Sequence, residues 1–112
     1  MNVKTIKISH PSDGHVVKEG EIMLFMIIEH FKNRNAKAVY KRFKEKGRMM
    51  PDGLNYLASW TEENGDRCFQ VMECDNQELL QIWASHWKDL VDFEFIPVVN
   101  GKEMSEKMSE EF

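Results

Sequence analysis

One segment constrains this chain more than any other: Leu24-Phe25-Met26-Ile27-Ile28-Glu29-His30-Phe31 is almost unbroken in apolar side chains and is bounded by polar residues. Successive side chains of a strand point to opposite faces, so a strand of this composition has no face suited to water. It reads as a strand covered on both sides. Everything else in the sequence has to supply that cover.

The next segments supply half of it. Lys32–Asn35 forms a turn, and Asn35 is placed to cap a helix. From Ala36 the period changes to helical: Ala36, Val39, Tyr40, Phe43 and Gly47 share one stripe, with Lys37, Lys41, Arg42, Lys44, Glu45 and Arg48 around it. Gly47 ends this helix and Pro51-Asp52-Gly53 turns the chain. Residues 54–62 and 66–74 are two strands joined through Glu63-Asn64-Gly65, a strong hairpin signal. With Asn64 and Gly65 as the loop pair, Glu62 faces Arg67, Trp60 faces Phe69, Ala58 faces Val71 and Tyr56 faces Glu73. Asp75 is placed to cap a second helix with Glu78 as its box partner. Leu79, Leu80, Trp83, Trp87 and Leu90 form its apolar stripe, and Asp92–Val99 is the last strand. The tail 100–112 is charged, and reads as frayed or as a short helix from Glu103 onward.

The order is strand–helix–strand–strand–helix–strand, which gives an α+β, ferredoxin-like βαββαβ fold with a four-stranded antiparallel sheet. Two helices cover one sheet face. The other face carries Leu24, Met26 and Ile28 of the first strand, and an apolar face of that size is an association site. The expected solution is a homodimer with sheets packed face to face, a dimeric α+β barrel.

Composition excludes several classes. With 112 residues there is one core, and 42% hydrophobic and 11% aromatic content rules out disorder. A net charge of −4 speaks against a nucleic-acid partner. No run approaches the ~20 apolar residues of a membrane span, and Met1–Gly20 has no apolar centre of a secretory signal. The expected setting is the cytoplasm, with no membrane partner. Cys68 and Cys74 stand on one strand about 20 Å apart, too far to bridge, and read as buried thiols.

From Met23 to about Val99 the chain resembles a bacterial family, DUF3303. The matching stretches are Met23–Glu29, Gly47-Arg48-Met49, Pro51-Asp52-Gly53-Leu54, Arg67–Cys74 and Asp89–Glu94. The resemblance implies a fold like that of the ferredoxin-like dimeric α+β barrels, which include cofactor-free monooxygenases, haem-degrading enzymes and ligand-binding proteins. It carries over no catalytic residue, and fold analogy alone does not give function.

The candidate ligand-binding residues are Tyr56, Trp60 and Glu73, expected on one sheet face, with Glu29 of the first strand to join them. A carboxylate among aromatics either acts as a base with a raised pKa or is satisfied by a tyrosine hydroxyl or an arginine. His30 and His86 read as rim histidines. No HxxxH, HExxH or CxxC spacing calls for a metal, and no glycine-rich loop calls for a phosphate cofactor. Trp83 and Trp87 at helical spacing suit a core or the wall of a pocket for a flat molecule. The basic helix face reads as solvated surface, with an anionic partner as the alternative. Three functions remain: a dimer binding a small organic molecule between sheet and helices, a cofactor-independent monooxygenase or isomerase, and a structural or regulatory subunit. A cavity lined by apolar and polar groups favours the first two; a filled core favours the third.

Residues 1–22 stand outside this pattern. Val3, Ile6 and Ile8 suit a short extra strand, and His10–Gly14 a turn. Lys18-Glu19-Gly20 can also be encoded by AAGGAGG, a ribosome-binding sequence a few nucleotides before the Met23 codon. In a bacterial source the expectation is a native start at Met23, with 1–22 an N-terminal extension outside the domain over 23–99 and the tail over 100–112. N-terminal sequencing of protein from its own cells should begin at Met23; a peptide reaching back to Met1 excludes this.

Overall fold

The structure is a computed structural model that describes residues 21–112; the strand and turn expected near Val3–Gly14 lie outside the described residues. The elements are β1 (Met23–Phe31), α1 (Ala36–Lys46), β2 (Asn55–Thr61), β3 (Arg67–Cys74), α2 (Glu78–Ser85), β4 (Val91–Val98) and α3 (Gly101–Ser109). The sheet has the order β2-β3-β1-β4 and all its pairs are antiparallel. This is the ferredoxin-like α+β arrangement expected from the element order.

The apolar run forms β1, which lies inside the sheet between β3 and β4. Its odd-numbered residues Phe25, Ile27, Glu29 and Phe31 point to the helices and are buried. They meet Cys68, Gln70, Met72 and Cys74 of β3 and Val91, Phe93 and Phe95 of β4. From above, Val39 of α1, Leu80, Trp83 and Ala84 of α2, and Trp87 after it, close the core. Phe93 and Phe95 stack at 5.6 Å, and Trp83 meets Phe93 edge-on at 5.2 Å, the offset and perpendicular arrangements that ring quadrupoles favour.

Local chemistry explains most boundaries. The Asn35 side chain accepts from the Ala38 N–H as the cap of α1. Gly47 ends that helix with φ 69°, in the region that favours glycine. In the hairpin Gly65 takes positive φ, while Asn64 accepts from the Asp66 N–H through its side chain.

Strand ends shift by one residue, and α2 ends at Ser85, so Trp87 and Leu90 of its expected stripe follow the helix in a turn. Three further details differ from the sequence reading. Asn76, not Asp75, caps the start of α2: its side chain accepts from the Glu78 N–H. The tail forms a helix from Gly101 rather than Glu103, because the Asn100 side chain accepts from the Glu103 N–H and donates to its carboxylate. The third difference matters for the site. The β2–β3 register holds at Trp60–Phe69 and Ala58–Val71, then slips at Leu57, so that Tyr56 pairs with Met72 and Asn55 with Glu73. Leu57 is the extra residue of a β-bulge, and one inserted residue reverses which face each earlier side chain takes. Tyr56 therefore lies on the helix face and Glu73 on the other.

Gly53 sits in the turn closed by the Leu54 N–H to Pro51 carbonyl bond, with φ 95°, and a Cβ there would lie 3.0 Å from Leu79 Cδ1. Gly53→Ala should lose about 1–3 kcal/mol of stability in chemical denaturation, from strained φ and the crowded leucine. An unchanged midpoint would show that the turn relaxes freely.

Candidate functional site

A cavity of about 80 Å³ opens between the helix face of the sheet, α1 and the segment after it. One ordered water needs about 10–15 Å³ of such space, so the cavity has room for several waters or a small organic group. Five of its eleven lining residues are aromatic: Phe31, Tyr40, Phe43, Trp83 and Trp87. Tyr40 and Phe43 belong to the apolar stripe of α1, yet they are 46% and 38% exposed. They form the mouth of the cavity instead of sealing the core.

Glu29 is the polar group at its base. It is brought in by β1, whose pleat points it at the helices between Ile27 and Phe31, and it is 9% exposed. Gln70 on the neighbouring strand donates to Glu29 Oε2 at 2.7 Å. Among the described residues this is the single hydrogen bond to that carboxyl. Burial pushes the Glu29 pKa up to about 7, against the lowering effects of the Gln70 bond and the Arg48 charge. Cys68, also in the lining, is held at about 11 by burial and by the Glu29 charge, so it stays a thiol at neutral pH.

Arg48 forms the opposite side. Its backbone carbonyl accepts two bonds at 3.1 Å, from the indole N–H groups of Trp83 and Trp87. Its guanidinium carbon lies 3.6 Å from the Tyr56 ring centre and 5.0 Å from that of Phe43, a cation–π geometry. The two flanking residues, Gly47 and Met49, both have positive φ, 69° and 58°. A methionine in that region is uncommon and persists only where surrounding contacts fix it. The two indole bonds do so here.

The four residues singled out from the sequence do not form one cluster. Glu29 lies on the helix face inside the cavity, and Tyr56 lies beside it beneath Arg48, with its hydroxyl bonded to Ser59 at 2.7 Å. Trp60, 61% exposed, and Glu73 lie on the opposite, open face, and the bulge at Leu57 is what parts Tyr56 from them. Arg48, Gln70 and Ser59 were not anticipated. For Arg48 a signal existed: Gly47-Arg48-Met49 is one of the stretches that carry the family resemblance. His30 pairs with Glu94 at 3.1 Å on the open face, and the His86 carbonyl accepts from Arg42. Among the described residues no three His, Cys, Asp or Glu side chains converge to hold a metal, and no helix is long and apolar enough to cross a membrane.

The profile of the DUF3303 family, described as a domain of unknown function, matches residues 23–112. The chain belongs to that family. The match begins at the start of β1 and runs through α3, so the family covers the whole cavity. No curated protein and no solved structure shows a significant match to the chain.

The buried carboxyl gives the site a pH signature. With a folded pKa near 7 and an unfolded value of 4.5, the folded state holds the Glu29 proton over a window in which the unfolded state has released it. Stability therefore falls as pH rises from about 4.5 to 7, by about 3 kcal/mol in total. Glu29→Gln should remove this slope and be more stable than wild type at pH 8. Parallel denaturation curves of the two proteins at pH 5 and pH 8 check it; equal slopes would mean that Glu29 ionises freely in the fold.

Proposed function

We propose that this protein binds a small organic molecule in the cavity between the sheet and α1, with Glu29 as the polar anchor. The observation that carries the reading is a nearly buried carboxyl in an open, partly aromatic pocket, with one hydrogen bond and no counter-ion in contact among the described residues. Leaving such a group in a pocket costs stability, and a well-packed core would exclude it. Trp83 and Trp87 line the same space and report on it. Fragments that bind should quench tryptophan fluorescence in a Trp60→Phe background, and Ser59→Phe should abolish the effect by filling the cavity. Hits that survive Ser59→Phe would place binding elsewhere.

A second reading, a cofactor-independent oxygenase or isomerase, draws support from the Glu29 pKa of about 7. A carboxyl poised near neutrality both gives and takes a proton efficiently. On this reading Glu29, rather than a Tyr56/Glu73 pair, moves the proton, and Glu29→Gln loses turnover while keeping ligand affinity.

We also infer a homodimer through the open sheet face. Its middle rows are apolar apart from one carboxylate: Ala58, Val71, Met26 and Ile96 across the sheet, then Trp60, Phe69 and Ile28 with Glu94 beside it. Charged residues line one end, where Glu62 pairs with Arg67, His30 with Glu94 and Lys32 with Asp92. An apolar centre with a charged rim is the pattern of a self-complementary interface. Sedimentation should give twice the 13.2 kDa chain mass, and Ile28→Glu a monomer. A wild-type monomer at high concentration would overturn the dimer.

A further inference from the structure

We propose that the cavity takes a small carboxylic acid as its anion, with the carboxylate on Arg48 and a second polar group, a hydroxyl or carbonyl, facing Glu29. This rests on the reading of the cavity as a ligand site and adds the charge and class of the ligand.

The arginines make the case. Arg34 bonds to Asp66, Arg42 grips Asp89 through both terminal nitrogens, and Arg67 holds both oxygens of Glu62. Arg48 differs. Among the described residues its guanidinium has no carboxylate and no hydrogen-bond acceptor. It is held by its faces instead, against Tyr56 and Phe43. Stacking leaves the in-plane N–H donors of a guanidinium available, and their fork matches a carboxylate. The main chain beneath it is fixed by the paired Trp83 and Trp87 bonds, so the fork is pre-organised rather than searching.

Arg48 and Glu29 line the same cavity, and the Arg48 charge is felt by Glu29 without a direct bond between them. The space between the two is where a ligand fits. A cation placed there meets Arg48, and a neutral molecule leaves the guanidinium donors without an ionic acceptor. An anion satisfies Arg48 and favours the protonated form of Glu29, which then donates to the ligand's second polar group. The other titratable groups around Glu29 are Tyr40 from α1, Cys68 from β3 and Tyr56 from β2, beneath Arg48. The side chains from α2 and its C-terminal turn are Trp83 and Trp87, and β4 contributes Phe93, none of which titrates. The pH dependence of binding therefore belongs to Glu29.

The test uses matched acids and amides: pyruvate and pyruvamide, lactate and lactamide, 3-hydroxybutyrate and its amide, with inorganic phosphate as a further anion. Binding is read from the indole N–H signals of Trp83 and Trp87 in nitrogen-resolved NMR of the full chain. The acids should bind about tenfold or more tightly than their amides, as a charge-assisted fork predicts. Arg48→Gln should erase that preference and Arg48→Lys keep part of it. Both variants leave the backbone carbonyl and its indole bonds in place, so those signals also report that the protein is folded. Wild-type affinity for the acids should weaken by up to about tenfold per pH unit above 7, and Glu29→Gln should flatten that dependence. Amides binding as well as acids, or a preference that survives Arg48→Gln, would overturn the anion and leave the pocket reading standing. Phosphate binding as tightly as the acids would overturn the carboxylic class. If neither acids nor amides move the indole signals, the pocket reading falls with the inference.

Discussion

The pleat of β1 is the constraint on which the rest of this structure depends. β1 is hydrogen-bonded on both edges, to β3 and β4, so its register is fixed from two sides. Its odd-numbered side chains form the floor of the core and its even-numbered ones the centre of the open face. A one-residue slip would exchange the two sets, putting Glu29 in water and His30 among the core aromatics. The register that buries Phe25, Ile27 and Phe31 therefore also buries Glu29, and the apolar neighbours repay what that carboxyl costs.

The cavity exists because the core is closed unevenly. Over β4 and the far end of the sheet, Trp83, Phe93 and Phe95 fill the space between α2 and the strands. Toward β2, α1 contributes one buried side chain, Val39, while Tyr40 and Phe43 stay partly exposed. The two tryptophans spend their N–H donors on the Arg48 carbonyl, which a buried indole must do with some acceptor. That bond pair ties the segment after α1 to α2 and holds it above the sheet. A polar pair, Glu29 and Gln70, lies at the base, where apolar residues would have drawn the wall inward.

The two sheet faces thus carry different kinds of surface. The helix face offers a small polar niche bordered by aromatic side chains. The open face offers a broad apolar patch with paired charges at one end. Tyr56 belongs to the first and Trp60 to the second, although they are four residues apart on one strand, because the bulge at Leu57 intervenes.

The sequence by itself determined the element order, the burial of both cysteines, the caps of α1, the buried Leu80 and Trp83 of α2 and the two-sided character of β1. These follow from periodicity and turn chemistry, which act over a few residues. It also marked Glu29, a carboxylate inside an apolar run. Only the tertiary structure decided where that carboxyl points, that Gln70 meets it from a strand 41 residues away, and that Arg48 stands across the cavity. The bulge was hidden as well, because nothing in Asn55–Thr61 distinguishes a regular strand from one with an extra residue. Local pattern fixes which side chains prefer burial; strand register and long-range indole bonds fix which of them meet, and those depend on parts of the chain that no local pattern connects.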